Sequence, residues 1–222
     1  NTVTTAAGTV YASGINTVTT ANGNSHITGN AITISSNAGK AYFTGNSATI
    51  TNASAGDIFI TGNTSTVTNA NGGRIFITGY SASLATAQGT VNITGKQVTI
   101  TTASATVNIS GGNGCNNTVT TANGKVIMTG TNTVSHAAGT VYVSGTNTVT
   151  NASGMVMMSG INTVTNANQK VYITGNANTV TTASNAVYIT GGANTVTTAN
   201  GNTHITGNAI TISSNAGKAY FT

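Results

Sequence analysis

Proline and tryptophan are absent, cysteine occurs once, and a single acid, Asp57, stands for all the aspartate and glutamate in 222 residues. Each shortage excludes a class of function. One carboxylate cannot form the acid/base pair of a hydrolase or lyase. Nor can it supply calcium ligands turn after turn. Cys115 alone permits no internal disulfide framework, and it reads as an incidental residue of the one irregular insert, Gly112 to Asn117. The glycine-rich stretches lack the Lys-Ser/Thr of a phosphate loop. No run approaches the ~18 apolar residues of a membrane span, and no charged-then-apolar leader is visible. No enzyme, cofactor, metal site or membrane span is expected.

Charge is also scarce. Lys40, Arg74, Lys96, Lys125, Lys170 and Lys218 make up the six cations, for a formal +5. They are spread along the whole chain. Nucleic-acid binding needs Lys and Arg clustered along a phosphate track, so no nucleic acid is expected. A chain so poor in charge and so rich in Thr, Asn and Ser invites a disordered reading. The strict spacing of its Val and Ile opposes that.

What is present is one phrase, close to Asn-Thr-Val-Thr-Thr-Ala-Asn-Gly-x-Val-Tyr-Ile-Thr-Gly, returning about every 16 residues through the full length. A short period of β-branched residues closed by glycine predicts an all-β fold: a two-sided parallel β-solenoid of about fourteen coils. Residues 1–222 form a single array, expected to be a window or subunit of a longer stack without caps. Each coil reads as two short strands, such as Asn16 to Thr20 and Ser25 to Thr28, joined by corners of Asn and Gly. Alternation turns Val18, Ile34, Ile50 and their equivalents inward. The second strand contributes pairs such as Val171 and Ile173 to the same thin core.

Alternation turns Thr pairs outward from the first strand. They include Thr17 with Thr19, Thr49 with Thr51, Thr66 with Thr68, Thr99 with Thr101, and Thr118 with Thr120. Further along come Thr148 with Thr150, Thr163 with Thr165, Thr179 with Thr181, and Thr195 with Thr197. At ~6.7 Å along a strand and ~4.8 Å between coils they are expected to form a flat grid of methyls and hydroxyls. This Thr-x-Thr grid resembles the ice-binding face of insect hyperactive antifreeze proteins, and the resemblance implies a surface that orders water. The same ladder equally suits a soluble β-surface or a packing face between filaments. The Gly-Tyr-Gly-Ser-Thr phrase of bacterial ice-nucleation proteins is absent, Gly79-Tyr80-Ser81 being a faint echo.

The second strand turns out a different column: Tyr11, Tyr42, Phe59, Phe76, Tyr142, Tyr172, Tyr188 and Tyr220, with His26 and His204 among them. Stacked rings stabilise strand ladders and leave an apolar stripe of the kind that meets partners. Beside it runs a column holding Lys40, Asp57, Arg74, Lys125, Lys170 and Lys218, its like charges mostly separated by neutral coils. His26 and His204 occupy equivalent places eleven coils apart, roughly 53 Å, too far to share a metal. An Asn column (Asn1, Asn16, Asn117, Asn132, Asn147, Asn162, Asn178, Asn194) is expected to bond along the axis. His136 reads as a polar member of the Thr column that includes Thr20 and Thr121.

A longer period overlies the short one. Residues 16–44 and 194–222 agree at 28 of 29 positions, Ser25 against Thr203 being the exception. Near-identity across eleven coils suggests a super-repeat, and with it an array built to continue. The general design resembles microbial extracellular β-solenoid fibres. The function expected is therefore a structural, self-associating subunit of an extracellular or cell-surface filament. Its partners would be itself, end to end and laterally, with ice or a surface polysaccharide as further candidates. An ice-binding protein and the repeat stalk of an adhesin or phage fibre remain as alternatives.

Overall fold

The computed structural model describes residues 1–112 and 114–222; Asn113, within the expected insert, lies outside the described residues. The chain is all-β, a parallel solenoid of about fourteen turns. Each strand hydrogen-bonds to its equivalent in the next turn, as Thr2–Ala6 does to Asn16–Ala21 and Val10–Ser13 to Ser25–Thr28. No helix among the described residues is long and apolar enough to cross a membrane.

The interior holds more columns than the Val/Ile pattern predicts. From the long strand of one coil, Asn16, Val18 and Ala21 point inward; from the short strand, Ser25 and Ile27 do. Between Val18 and Ala21 two successive side chains, Thr19 and Thr20, face out. Strict alternation forbids that in a straight strand, so the strand bends there. The pairing register skips the Thr19 position along the stack, passing for instance from Val134 with Val149 to His136 with Asn151. Beyond the bend the Ala column closes the core against the corner.

The Asn column is inside. Asn117, Asn132, Asn147, Asn162, Asn178 and Asn194 are all buried, and from Asn117 to Asn178 each Nδ2 donates to the Oδ1 of the next at 2.7–2.9 Å. The same Nδ2 atoms donate back to corner carbonyls, as Asn147 does to Gly145 at 3.1 Å. A buried amide without partners is costly; here Asn132, Asn147, Asn162 and Asn178 are satisfied on both sides by their own copies one coil away. Where this ladder runs, the corner changes. Gly130, Gly145, Gly160 and Gly175 take positive φ, and the two strands of a coil merge into one, as in Val126–Ala137 and Val141–Ala152. Elsewhere Ile32, Ala48, Ser65, Ala82 and Val98 fill the column and the strands stay separate.

The ladder starts abruptly. Asn117 stacks on Val98, so its Oδ1 is buried with no partner. Ser65 Oγ is orphaned too, between Ala48 and Ala82. A buried unsatisfied hydroxyl costs about 1–3 kcal/mol. Since Ala already fills both neighbouring places, Ser65→Ala is expected to stabilise the chain by about 1 kcal/mol. Denaturant melts of the two proteins measure it; a loss of stability would show that Ser65 has a partner.

Cys115 is buried and packs in the corner beside Gly111 and Gly130, and its carbonyl accepts from Thr131 N–H at 2.7 Å. A second polar device crosses the core. Asn37, standing in the Ala column, meets Ser25 Oγ at 2.7 Å and donates to the Gly39 carbonyl. Eleven coils on, Asn215 repeats it with Thr203 Oγ1 at 2.8 Å and the Gly217 carbonyl.

Candidate functional site

The outward faces carry every chemical group available to a partner. On the short-strand face the rings stack. Tyr11, His26, Tyr42, Phe59 and Phe76 form one series with centroids 4.6–5.0 Å apart and planes within 13°. Tyr172, Tyr188, His204 and Tyr220 form another at 4.5–4.9 Å. The coil rise sets this spacing, because each ring sits at the same register position as the last. Stacked this way the rings cover each other's faces and show only their edges and hydroxyls to solvent.

Between the two series the column holds Asn92 and Asn108, joined by an amide hydrogen bond of 2.9 Å, then Ile127, Tyr142 and Met157. Tyr142 therefore stands apart from the stacks that sequence alone placed it in. Lys125 lies over its ring, 4.5 Å from the centroid, and Arg74 lies 5.4 Å from that of Phe76. A shallow apolar depression of about 360 Å³ runs here, floored by Met128, Val143 and Met158 and walled on one side by Thr129, Ser144 and Ser159. Tyr80 is off this face, at a corner beside Lys96.

The charged column is bonded into the corners. Asn24 Oδ1 accepts from Lys40 N–H at 2.9 Å, Asp57 Oδ1 from Arg74 N–H at 2.8 Å, and Asn202 Oδ1 from Lys218 N–H at 3.0 Å. Asp57 also pairs with the Arg74 guanidinium at 2.9 Å. That side-chain bond, followed by the backbone one, holds the Asp57 carboxyl below its ordinary value. A depressed carboxylate stabilises the fold above its unfolded pKa, and the contribution is lost as pH falls through the folded value. The Arg74 side chain is 61% open to solvent against 15% for Asp57, so water screens the pair and the effect is small. No other side-chain carboxylate exists in the chain. Acid denaturation proceeds mainly through carboxylates, and that route is nearly closed. The melting temperature is expected to change little between pH 7 and about pH 3. Circular dichroism at the two pH values checks this; a steep acid transition would contradict it.

The Thr pairs face outward as the strand pattern placed them, but the two members of a pair are not equivalent, and the flat grid needs correction. The first column, Thr17, Thr49, Thr66, Thr99, Thr118, Thr148, Thr163, Thr179 and Thr195, sits between two inward columns and pairs in register from coil to coil. The second column is Thr19, Thr51, Thr68, Thr101, Thr120, Thr150, Thr165, Thr181 and Thr197. At these positions the pairing register skips, because here the strand bends toward the Ala column. Only the first column is thus part of a straight strand surface; the second forms its turning edge. Thr51, Thr68, Thr101 and Thr197 are exposed there, while Thr120, Thr165 and Thr181 are half-buried.

Around the bend, Asn166 donates to Asn151 at 2.9 Å, and Asn151 lies 3.2 Å from His136 Nε2. His136 is a member of that ladder, as expected. Among the described residues no group of three His, Cys, Asp or Glu side chains could hold a metal.

Sequence reasoning missed the burial of the Asn column, the inward Ala column and the Ser25–Asn37 bridge. The signal for the first was present: Asn16 lies two residues before Val18, on the same side of the strand. Compared with family models, curated proteins and solved structures, the chain matches none.

Proposed function

We propose that this chain is a structural, self-associating β-solenoid segment of an extracellular filament. One observation carries the reading: the buried bridge between Asn37 and Ser25 returns eleven coils later between Asn215 and Thr203. The single difference between the two 29-residue segments exchanges one hydroxyl residue for another, and the bond survives. A module copied with its hydrogen bonds at a fixed axial distance is what a long, regular stack requires. Along the axis, backbone ladders, amides and rings all act between a coil and its neighbour. Laterally, the uncharged Thr face suits contact with another filament; the short-strand face, with its Lys column, would set like charges together.

Electron microscopy of native material tests the proposal. Long unbranched fibres are expected. Discrete rods of ~65 Å, the height of fourteen coils, would contradict it.

The outward, uncharged Thr17 and Thr19 columns favour ice binding as the second reading. Under it, Thr148→Tyr with Thr150→Tyr abolishes thermal hysteresis. Under the filament reading wild type shows no hysteresis, and the same variant leaves axial assembly intact while weakening lateral bundling.

A further inference from the structure

Five of the six cations, Lys40, Arg74, Lys125, Lys170 and Lys218, share one column of the short-strand face. From Arg74 to Lys218 they recur at every third coil, roughly 14 Å apart. Two residues further along each strand stands the ring column, and two beyond that a column of hydroxyls such as Thr129, Ser144 and Thr174. Lys125 and Arg74 lean over the rings beside them instead of extending away. The one acid is already paired with Arg74, so this face has cations without counterparts.

We propose that this face binds an extended acidic polysaccharide lying parallel to the solenoid axis. A pyranose residue in an extended β-linked chain is about as long as one coil is tall. One sugar then rests on each coil, and an acidic sugar in every third position keeps step with the cations. The hydroxyl column and the Tyr hydroxyls supply hydrogen bonds to sugar oxygens, and the depression at Ile127 and Met157 accepts the apolar faces of the rings. Each contact is weak and exposed, and affinity comes from their repetition along the axis.

Other occupants fit less well. Duplex DNA presents a charge about every 1.7 Å, far denser than this line, and its single strands need open ring faces on which bases can stack. Here the faces are covered by neighbouring rings. A second copy of the same face would oppose Lys with Lys.

The inference does not rest on filament formation, because binding is read on the dispersed chain. Titration calorimetry at low salt would use oligosaccharides of β-linked polymannuronate, which carry an acid on every sugar and so at every third, with cello-oligosaccharides as the neutral control and polyglutamate and duplex DNA as other polyanions. The acidic glycans are expected to bind, more weakly as salt rises. Lys125→Gln with Lys170→Gln should weaken them about tenfold, while Lys96→Gln, off the line, leaves binding unchanged. Circular dichroism confirms that these surface variants fold. No glycan binding, equal binding of the neutral control, an equal loss in Lys96→Gln, or tighter binding of polyglutamate or DNA would each overturn the proposal.

Discussion

Asn147→Asp is expected to destabilise the middle coils by at least about 3 kcal/mol at neutral pH, with partial recovery below about pH 4. The wild-type amide accepts from Asn132 at 2.7 Å and donates to Asn162 Oδ1, the Ser159 carbonyl and the Gly145 carbonyl at 2.8–3.1 Å. A carboxylate keeps the first bond and turns the other three into contacts between oxygens. It does so in a position 2% exposed, where charge is poorly solvated. Burial raises the folded pKa of such a group, so the penalty grows as pH rises through the unfolded value and levels off above the folded one. Asn147→Leu should cost less, about 1–3 kcal/mol, because it orphans Asn162 Oδ1 without burying a charge. Hydrogen exchange resolves the effect coil by coil, as suits a stack whose coils open locally. No effect from either variant would show that the ladder contributes little, and equal losses from both would show that the buried charge adds nothing to the lost bonds.

Gly145→Ala should be comparably severe, with a loss of about 3 kcal/mol or more. Gly145 has φ of 114°, outside the range that side chains tolerate. An added Cβ would also fall well inside contact distance of the Gly130 carbonyl oxygen in the coil before. Backbone in both coils must shift, and the Asn132 and Asn147 amides that bond to those glycines shift with it. Gly112→Ala is the control: its φ is not positive and no atom lies within 4 Å of the added carbon. Chemical denaturation of the pair measures the contrast. Similar midpoints would show that the glycine corner is not needed.

Much of this architecture is legible in the sequence because a solenoid repeats its physics. Val18, Ile34 and Ile50 appear at one phase of the repeat, and that phase is the core. Parity alone also places Asn16 and Asn147 inside, but a single coil gives a buried amide no partner. The partner is the same residue one coil away, so only stacking makes its burial tolerable. The Ala21 column is hidden for another reason: Thr19 and Thr20 interrupt the alternation, and counting by two across the bend puts Ala21 on the wrong side. The same bend is why Thr17 and Thr19, alike in sequence, differ in setting. The bridge from Ser25 to Asn37 joins different coils and different strands, a pairing that no local pattern announces. On the outer faces the columns are visible in sequence, but not the covering of one ring by the next. That covering turns the aromatic stripe from open faces into a ridge of edges.

Fibre diffraction from oriented assemblies tests the central claim, a stack of coils whose module recurs at eleven. A meridional reflection near 4.8 Å is expected, with a long axial period of about 53 Å, the height of eleven coils. A 4.8 Å spacing that lies off the fibre axis, or an axial period unrelated to eleven coils, would contradict it.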